Sequence, residues 1–141
     1  MLVLSNNPQV WDSCQLDCER IEGTPREVLY RALDLVGSGE YSLFAHPVAG
    51  NERLLRNPYR TVVLTQSPAA RKRIPQDQQT AFINRALNKV EDIEYDEIPA
   101  GTHADYATVD FELFKTTMNS AENEDRQYPF LFGSKNSKRG D

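Results

Sequence analysis

The chain has 141 residues, of which 39% are hydrophobic and 26% charged, and its formal net charge at pH 7 is -5. This length favours one domain with its own core, and the negative charge argues against a protein whose whole surface binds nucleic acid. No apolar run reaches the roughly 18 residues of a membrane span, the N-terminus lacks the features of a signal peptide, and two cysteines cannot form a disulfide framework, so we expect a cytoplasmic protein.

The first half of the chain alternates strand and helix signals. Strands are predicted where short apolar or β-branched runs end at turn residues, over residues 2–4, 14–21, 41–45 and 59–65. A short helix, with Trp11 as its core anchor, is predicted over residues 9–13. A longer helix follows Thr24, because Thr24 and Glu27 form a capping box around Pro25, and Gly37 stops it. Strands alternating with helices predict parallel pairing.

The second half is predicted to be mainly helical. Apolar stripes at helical spacing run over residues 82–90 and 107–118, and Thr102 can cap the second helix. We therefore predict a small α/β three-layer sandwich with a mostly parallel sheet and C-terminal helices. The predicted domain covers residues 1–120, followed by a polar tail, residues 121–141, which could dock through its apolar segment 128–132.

Ligands of such sheets bind outside the carboxyl ends of the strands. The predicted strands end at residues 5–7, 45–46 and 65–66, so the loops that follow could share one rim if the strands run parallel. The sequence does not determine the direction of the strand over residues 59–65.

Polar side chains near this rim are the candidate binding residues. They are Asn6, Asn7, His46, Gly50, Asn51, Tyr59 and Arg60. Imidazole titrates near neutral pH, so His46 is the candidate acid or base, and the planar guanidinium of Arg60 suits a carboxylate or phosphate. The asparagines could equally serve as turn formers that bond the local backbone.

No motif for a metal or cofactor is present, so neither is predicted. Cys14 and Cys18 cannot complete a zinc site alone, and we interpret them as small buried apolar residues. Charge is uneven: residues 52–73 carry six basic residues against one acidic, and residues 91–125 carry eleven acidic against one basic. This asymmetry could steer a partner or pair the two segments within the fold.

Three short motifs occur in order, over residues 2–8, 43–50 and 57–64. Together they resemble the GrdX family, small bacterial proteins associated with glycine reductase gene clusters. The positions that match the family pattern are Asn6, Asn7, Pro8, His46, Pro47, Gly50, Pro58 and Tyr59. The resemblance implies an accessory or regulatory role in amino-acid reduction, with components of a glycine-reductase-type complex as partners, and it carries no catalytic residues over.

The sequence leaves three functions open. The first is a non-catalytic accessory protein that binds a small anion or a partner protein, and this is the one we expect. The second is a small-molecule enzyme that uses His46 as acid or base on an anionic substrate held by Arg60. The third is an assembly protein that docks through residues 128–132. No nucleic-acid or membrane partner is expected, and a homo-oligomer is left open.

Overall fold

The fold is built on a mixed four-stranded sheet, seen in a computed structural model that describes residues 1–44, 55–66 and 74–124, the last five as helix backbone only. The strands are β1 Leu2–Ser5, β2 Asp17–Arg20, β3 Ser42–Leu43 and β4 Thr61–Thr65. The α-helices are α1 Pro8–Ser13, α2 Pro25–Gly37, α3 Gln76–Val90 and α4 His103–Glu124. Two 3₁₀ turns, Tyr95–Glu97 and Ala100–Thr102, lie between α3 and α4. The predicted α/β class is confirmed.

The sheet has the strand order β2-β1-β4-β3, and among these described strands only the β1/β2 pair is parallel. β4 runs antiparallel to both of its neighbours, with Ser5 opposite Thr61 and Ser42 opposite Thr65. The prediction of a three-layer sandwich with a mostly parallel sheet is therefore wrong, because the sheet is mixed. The structure is an α/β fold with a mixed sheet. A β-branched run forms a strand equally well in either direction, so its composition could not reveal the reversal.

Apolar side chains leave the two faces of the sheet in alternation and enter two clusters. Leu4, Val62 and Leu64 pack with the apolar stripes of α2 and α3. Val3 and Val63 point to the other face, where they pack with Val10 of α1 and with Phe114 and Met118 of α4. Successive side chains of a strand point to opposite faces of the sheet. This alternation, matched to the apolar stripes of the helices, fixes the register of β1 and β4.

Helix α2 has the boundaries that its end signals predict. The Thr24 hydroxyl accepts a hydrogen bond from the amide of Arg26, and the Glu27 carboxylate accepts one of 2.8 Å from the amide of Thr24, which completes the capping box. The helix ends at Gly37, and the left-handed turn follows at Gly39, whose φ is +85°. One glycine therefore ends the helix, and a second glycine allows the chain to reverse its direction.

Helix α1 is anchored by a different residue from the one predicted. Val10 is its fully buried residue, whereas Trp11 is half-buried. The indole of Trp11 donates a 2.7 Å hydrogen bond to the carbonyl of Ser5, and the Arg20 guanidinium lies 5.3 Å from its ring centre. The polar edge of the indole explains the difference, since its N–H seeks an acceptor at the boundary of the core.

Helix α4 continues to Glu124, past the domain boundary predicted at residue 120. Thr102 was predicted to cap this helix. Instead, the hydroxyl of Thr102 donates a 2.8 Å hydrogen bond to the carbonyl of Pro99. The tail segment 128–132 lies outside the described residues. Within the described ranges, no helix is both long and apolar enough to cross a membrane.

Candidate anion site at the edge of the sheet

The antiparallel course of β4 determines which predicted residues meet. Because Ser5 pairs with Thr61, the end of β1 and the beginning of β4 lie at one edge of the sheet. Asn6 and Arg60 therefore lie together, whereas Thr65 pairs across from Ser42 at the opposite end of β4. The expectation that the loop after Thr65 shares the rim is wrong, since it required a parallel strand.

Asn6 uses its whole side-chain amide on the backbone of other segments. Its Nδ2 donates to the carbonyls of Gly23 and Pro58 at 2.9 and 2.8 Å, and its Oδ1 accepts from the amide of Arg60 at 2.8 Å. The residue is 6% exposed. Asn6 therefore ties the loop before α2 to the segment that enters β4, and these partners lie far away in sequence, not in the local backbone of the alternative given above.

Asn7 is fully buried and links α1 to α4. Its Oδ1 accepts a 3.0 Å hydrogen bond from the amide of Gln9 and so caps α1. Its Nδ2 donates to the carbonyl of Ala107 at 2.8 Å and to Oδ2 of Asp110 at 2.9 Å. Both asparagines consequently hold the edge together from inside.

A chain of hydroxyl groups crosses from β1 to α4. The amide of Asn7 donates to Oγ of Ser5 at 3.0 Å, and that oxygen lies 2.8 Å from Oγ1 of Thr61. Thr61 in turn donates to Oδ2 of Asp110 at 2.8 Å. Because the one hydroxyl hydrogen of Thr61 is directed at Asp110, we infer that Ser5 donates to Thr61.

Asp110 is the acidic end of this chain and is 8% exposed. Burial raises the pKa of its carboxyl above the usual range, while the hydrogen bonds from Asn7 and Thr61 and the charge of Arg60 oppose that rise. The sequence analysis missed Asp110. Its signal is its position, three residues after Ala107 and four before Phe114, which places a carboxylate on the apolar face of a helix.

Arg60 is a buried cation, 6% exposed, at the beginning of β4. Burial lowers the pKa of its guanidinium, and Tyr95 and Asp110 act against that effect. Burial likewise raises the pKa of Tyr95, which the positive charges of Arg60, Arg26 and Arg56 lower in that order. We call Arg26, Arg56 and Arg60 the Tyr95 arginine cluster.

The cluster is fixed at several points. The Tyr95 hydroxyl donates to the carbonyl of Leu55 at 2.8 Å, next to Arg56. The Arg26 guanidinium lies 5.4 Å from the Tyr95 ring centre and also donates to the carbonyls of Val90 and Ile93 at 2.9 and 3.0 Å. Arg26 is therefore held by carbonyls near the end of α3, whereas the side chain of Arg56 is exposed.

Tyr59 stands beside the cluster and is half-buried. Its amide donates to Oδ1 of Asn57 at 2.9 Å, and Nδ2 of Asn57 donates to the carbonyl of Tyr106 at 2.8 Å. The Tyr59 ring meets the ring of His103 edge-on, with centroids 6.2 Å apart. Asn57 thus shapes the turn that presents Tyr59 and Arg60.

His46, Gly50 and Asn51 lie outside the described residues, so their place in the site stays a prediction. Among the residues that the structure does describe, no group of three His, Cys, Asp or Glu side chains could hold a metal ion. Sequence reasoning also missed Tyr95 and Arg56. Neither has a local signal, because Tyr95 acquires its arginine neighbours only in the folded chain.

The comparisons with known proteins give one result. The family model for the GrdX-like protein matches residues 2–119, which includes β1, β4 and the Tyr95 arginine cluster. No curated protein and no solved structure matches the chain.

Proposed function

The chain belongs to the GrdX-like protein family, and from that membership we propose that it is an accessory protein of a glycine-reductase-type system that binds a small anion at the Tyr95 arginine cluster. The observation that carries the proposal is geometric: the Arg26 guanidinium lies 5.4 Å from the ring of the buried Tyr95, whose hydroxyl donates to Leu55 beside Arg56. The buried Arg60 also acts on this tyrosine, at the edge of the sheet where Asn6 holds the chain. Arginine offers planar paired donors that match carboxylate and phosphate oxygens.

The charge balance of the cluster supports an anionic ligand. Asp110 is the acidic group that acts on Arg60, and burial raises the pKa of its carboxyl. Arg60 lies in a low-dielectric environment, where an anion gains more from a positive charge than it does in water. The exposed Arg56 would make the direct contact, and the buried Arg60 would add attraction from behind it.

Calorimetry at low ionic strength tests the proposal, with phosphate, acetyl phosphate, glycine and betaine as separate titrants. We expect at least one titrant to bind and Arg56→Ala to weaken it about tenfold, since a hydrogen bond to a charged group contributes about 1.5 kcal/mol or more. Arg85→Ala is the matched control, because Arg85 is an exposed arginine on α3 whose guanidinium contacts Phe82. Absence of heat with all four titrants, or equal affinities in the Arg56→Ala and Arg85→Ala variants, would contradict the anion site.

The association with a reductase system has a separate test. Immobilised wild-type protein is expected to retain glycine-reductase-type subunits from a lysate of a cell that makes them. The immobilised Arg85→Ala variant is expected to retain the same subunits. Failure to retain any subunit would count against the accessory role and leave the calorimetric result standing.

The enzymatic alternative uses the same cluster to hold an anionic substrate. It predicts that His46→Ala keeps the calorimetric affinity and abolishes turnover of the anion that binds. The accessory role predicts that the bound anion is recovered unchanged from both proteins, as phosphorus or proton NMR of the mixture would report.

A further inference from the structure

A cavity of about 170 Å³ lies between the end of α1 and helix α4. Two residues of its lining, Phe114 and Met118, belong to the apolar cluster on one face of the sheet, whereas Tyr95 packs in the cluster on the other face. The cavity is therefore separate from the Tyr95 arginine cluster. An apolar cavity of about 150 Å³ is large enough to hold benzene.

The inner wall of the cavity is apolar and comes from two segments. Helix α4 contributes Phe111, Phe114 and Met118, whose spacings of three and four residues place them on one face of the helix. The chain after α1 contributes Cys14 and Leu16. Met118 is fully buried and Phe114 is buried, whereas the other three are half-buried. The wall thus presents aromatic rings and sulfur atoms to a ligand.

Hydrogen bonds hold the two walls of the cavity in place. The amide of Cys14 donates to the carbonyl of Val10 at 2.9 Å, and its Sγ donates to the carbonyl of Leu16 at 3.7 Å. At the other end of α1, Nδ2 of Asn7 donates to the carbonyl of Ala107 in α4 at 2.8 Å. The cavity is therefore formed before a ligand arrives, so binding requires little rearrangement of the protein.

Polar side chains surround the mouth of the cavity. Ser13 and Gln15 are exposed members of its lining, and the half-buried Lys115 adds a positive charge. Nζ of Lys115 lies 4.6 Å from the ring centre of Phe111 and 3.0 Å from Oε1 of Glu112. Because Glu112 is exposed, water weakens this ion pair, and a carboxylate beside Phe111 would find the same ammonium within reach.

We propose that this cavity is a second binding site, which takes a small aromatic monocarboxylate of about the size of benzoate. The ring of the ligand packs against Phe111, Phe114 and Met118, and its carboxylate lies at the mouth, where it accepts a hydrogen bond from Nζ of Lys115. The site is distinct from the anion site proposed above, because the two lie on different faces of the sheet.

Three properties of the lining favour this class of ligand. Phenylalanine rings attract a further ring in edge-to-face or offset contact, and sulfur atoms such as those of Met118 and Cys14 also pack favourably against a ring. A rigid ring loses less conformational freedom on binding than a flexible chain of the same volume. The ammonium of Lys115 favours a negatively charged head group over a neutral or positive one.

The two methionines of the chain, Met1 and Met118, provide the first test. In the full-length protein with ¹³C-labelled methionine methyl groups, the Met118 signal is identified by its absence from the Met118→Leu variant. Titration with benzoate is expected to shift that signal and to saturate, because the ring current of a bound aromatic ligand acts on the atoms it contacts. A Met118 signal that stays in place up to millimolar benzoate would overturn the proposal, whether benzoate binds only at the Tyr95 arginine cluster or another part of the chain fills the cavity.

Two analogues separate the ring from the charge. Benzamide has the shape of benzoate without its charge, and cyclohexanecarboxylate has the charge without the aromatic ring. Both are expected to bind several-fold more weakly than benzoate, as measured by how much of each displaces benzoate from the Met118 methyl group. Binding of either analogue as tight as that of benzoate would contradict an aromatic carboxylate as the class of ligand.

A substitution of Lys115 tests its role at the mouth. At low ionic strength Lys115→Gln is expected to weaken benzoate binding about fivefold, the size expected for a half-exposed ion pair, and to leave the binding of benzamide unchanged. Lys89→Gln is the matched control, because Lys89 is an exposed lysine on α3 and lies outside the cavity lining. Equal affinities for benzoate in the Lys115→Gln and Lys89→Gln variants would overturn the assignment of the carboxylate to Lys115.

Discussion

The side-chain oxygen of Asn6 lies 2.8 Å from the backbone nitrogen of Arg60, a residue 54 positions further along the chain. This hydrogen bond fixes the backbone at the point where β4 begins and the Tyr95 arginine cluster acquires its buried member. Asn6 and Arg60 are both candidate binding residues, and the contact between them is a hydrogen bond from the backbone amide of Arg60 to the side chain of Asn6. The asparagine supports the geometry, and the arginines supply the charge.

Replacing Asn6 by alanine is expected to lower the free energy of unfolding by about 3 kcal/mol, because three hydrogen bonds are lost and the buried amide of Arg60 keeps no acceptor from the side chain. Urea denaturation followed by circular dichroism measures the change. Asn84→Ala is the control, since Asn84 is exposed on α3 and alanine favours a helix there. A loss below about 1 kcal/mol for Asn6→Ala would contradict the structural role of the amide.

Substitutions of Thr61 are expected to show how much the chain of hydroxyl groups contributes to the free energy of unfolding. Thr61→Val keeps the branched shape but removes the hydrogen bonds to Ser5 and Asp110, so we expect a loss of about 1–2 kcal/mol. Thr61→Ser retains the hydroxyl and is expected to cost less. Thermal and urea unfolding of the two variants give the comparison. Equal stabilities for Thr61→Val and Thr61→Ser would show that the hydroxyl contributes nothing.

Asp110 is expected to make the free energy of unfolding depend on pH, with a contribution that decreases as the pH rises. Its pKa is raised in the folded protein, so the folded state holds the proton more tightly than the unfolded state. The stability that Asp110 contributes is fully present below its unfolded pKa of about 4 and is lost as the pH rises through the folded pKa.

Asp110→Asn keeps an acceptor for Asn7 and Thr61 but does not titrate. Its stability relative to wild type is therefore expected to improve as the pH rises from about 4 towards neutrality. Urea denaturation at a series of pH values measures this difference. A difference that stays constant, or that falls with rising pH, would mean that the charge of Arg60 and the hydrogen bonds outweigh burial.

The two glycines after α2 offer a matched pair of substitutions. Gly37 is helical and a methyl group there meets no atom within 4 Å, so Gly37→Ala is expected to stabilise the protein by about 0.5–1 kcal/mol. Gly39 also has open space, but its φ of +85° disfavours any side chain, so Gly39→Ala is expected to destabilise by about 1 kcal/mol. Melting temperatures that shift in the same direction for both variants would contradict this division.

Local signals predicted local structure well. The box formed by Thr24 and Glu27 predicted both the start and the conformation of α2, because capping depends on residues three positions apart. The convergence of Asn6 and Arg60 at one edge was not specified in the same way, because the sequence left the direction of the strand over residues 59–65 open. The antiparallel course of β4 produces that convergence instead, by placing its beginning, not its end, beside Ser5.

Interactions between distant segments could not be predicted in the same way. The role of Asp110 depends on Asn7, which is 103 positions earlier, and Tyr95 gains its role from arginines on two distant segments. The interpretation of Cys14 and Cys18 as buried apolar residues holds only in part, since both contact an apolar cluster but remain half-buried.

The position of β4 has a consequence for how the chain acquires its structure during synthesis. β1 and β3 run in the same direction but are separated in the sheet by β4, which pairs with β1 across 56 positions of sequence. A ribosome releases β1, β2 and α2 well before Thr61, so one edge of β1 stays open until the later strand arrives. Sheet formation is therefore expected to wait for β4, as is usual for pairings of distant segments. The growing chain must be protected from pairing with its neighbours until then.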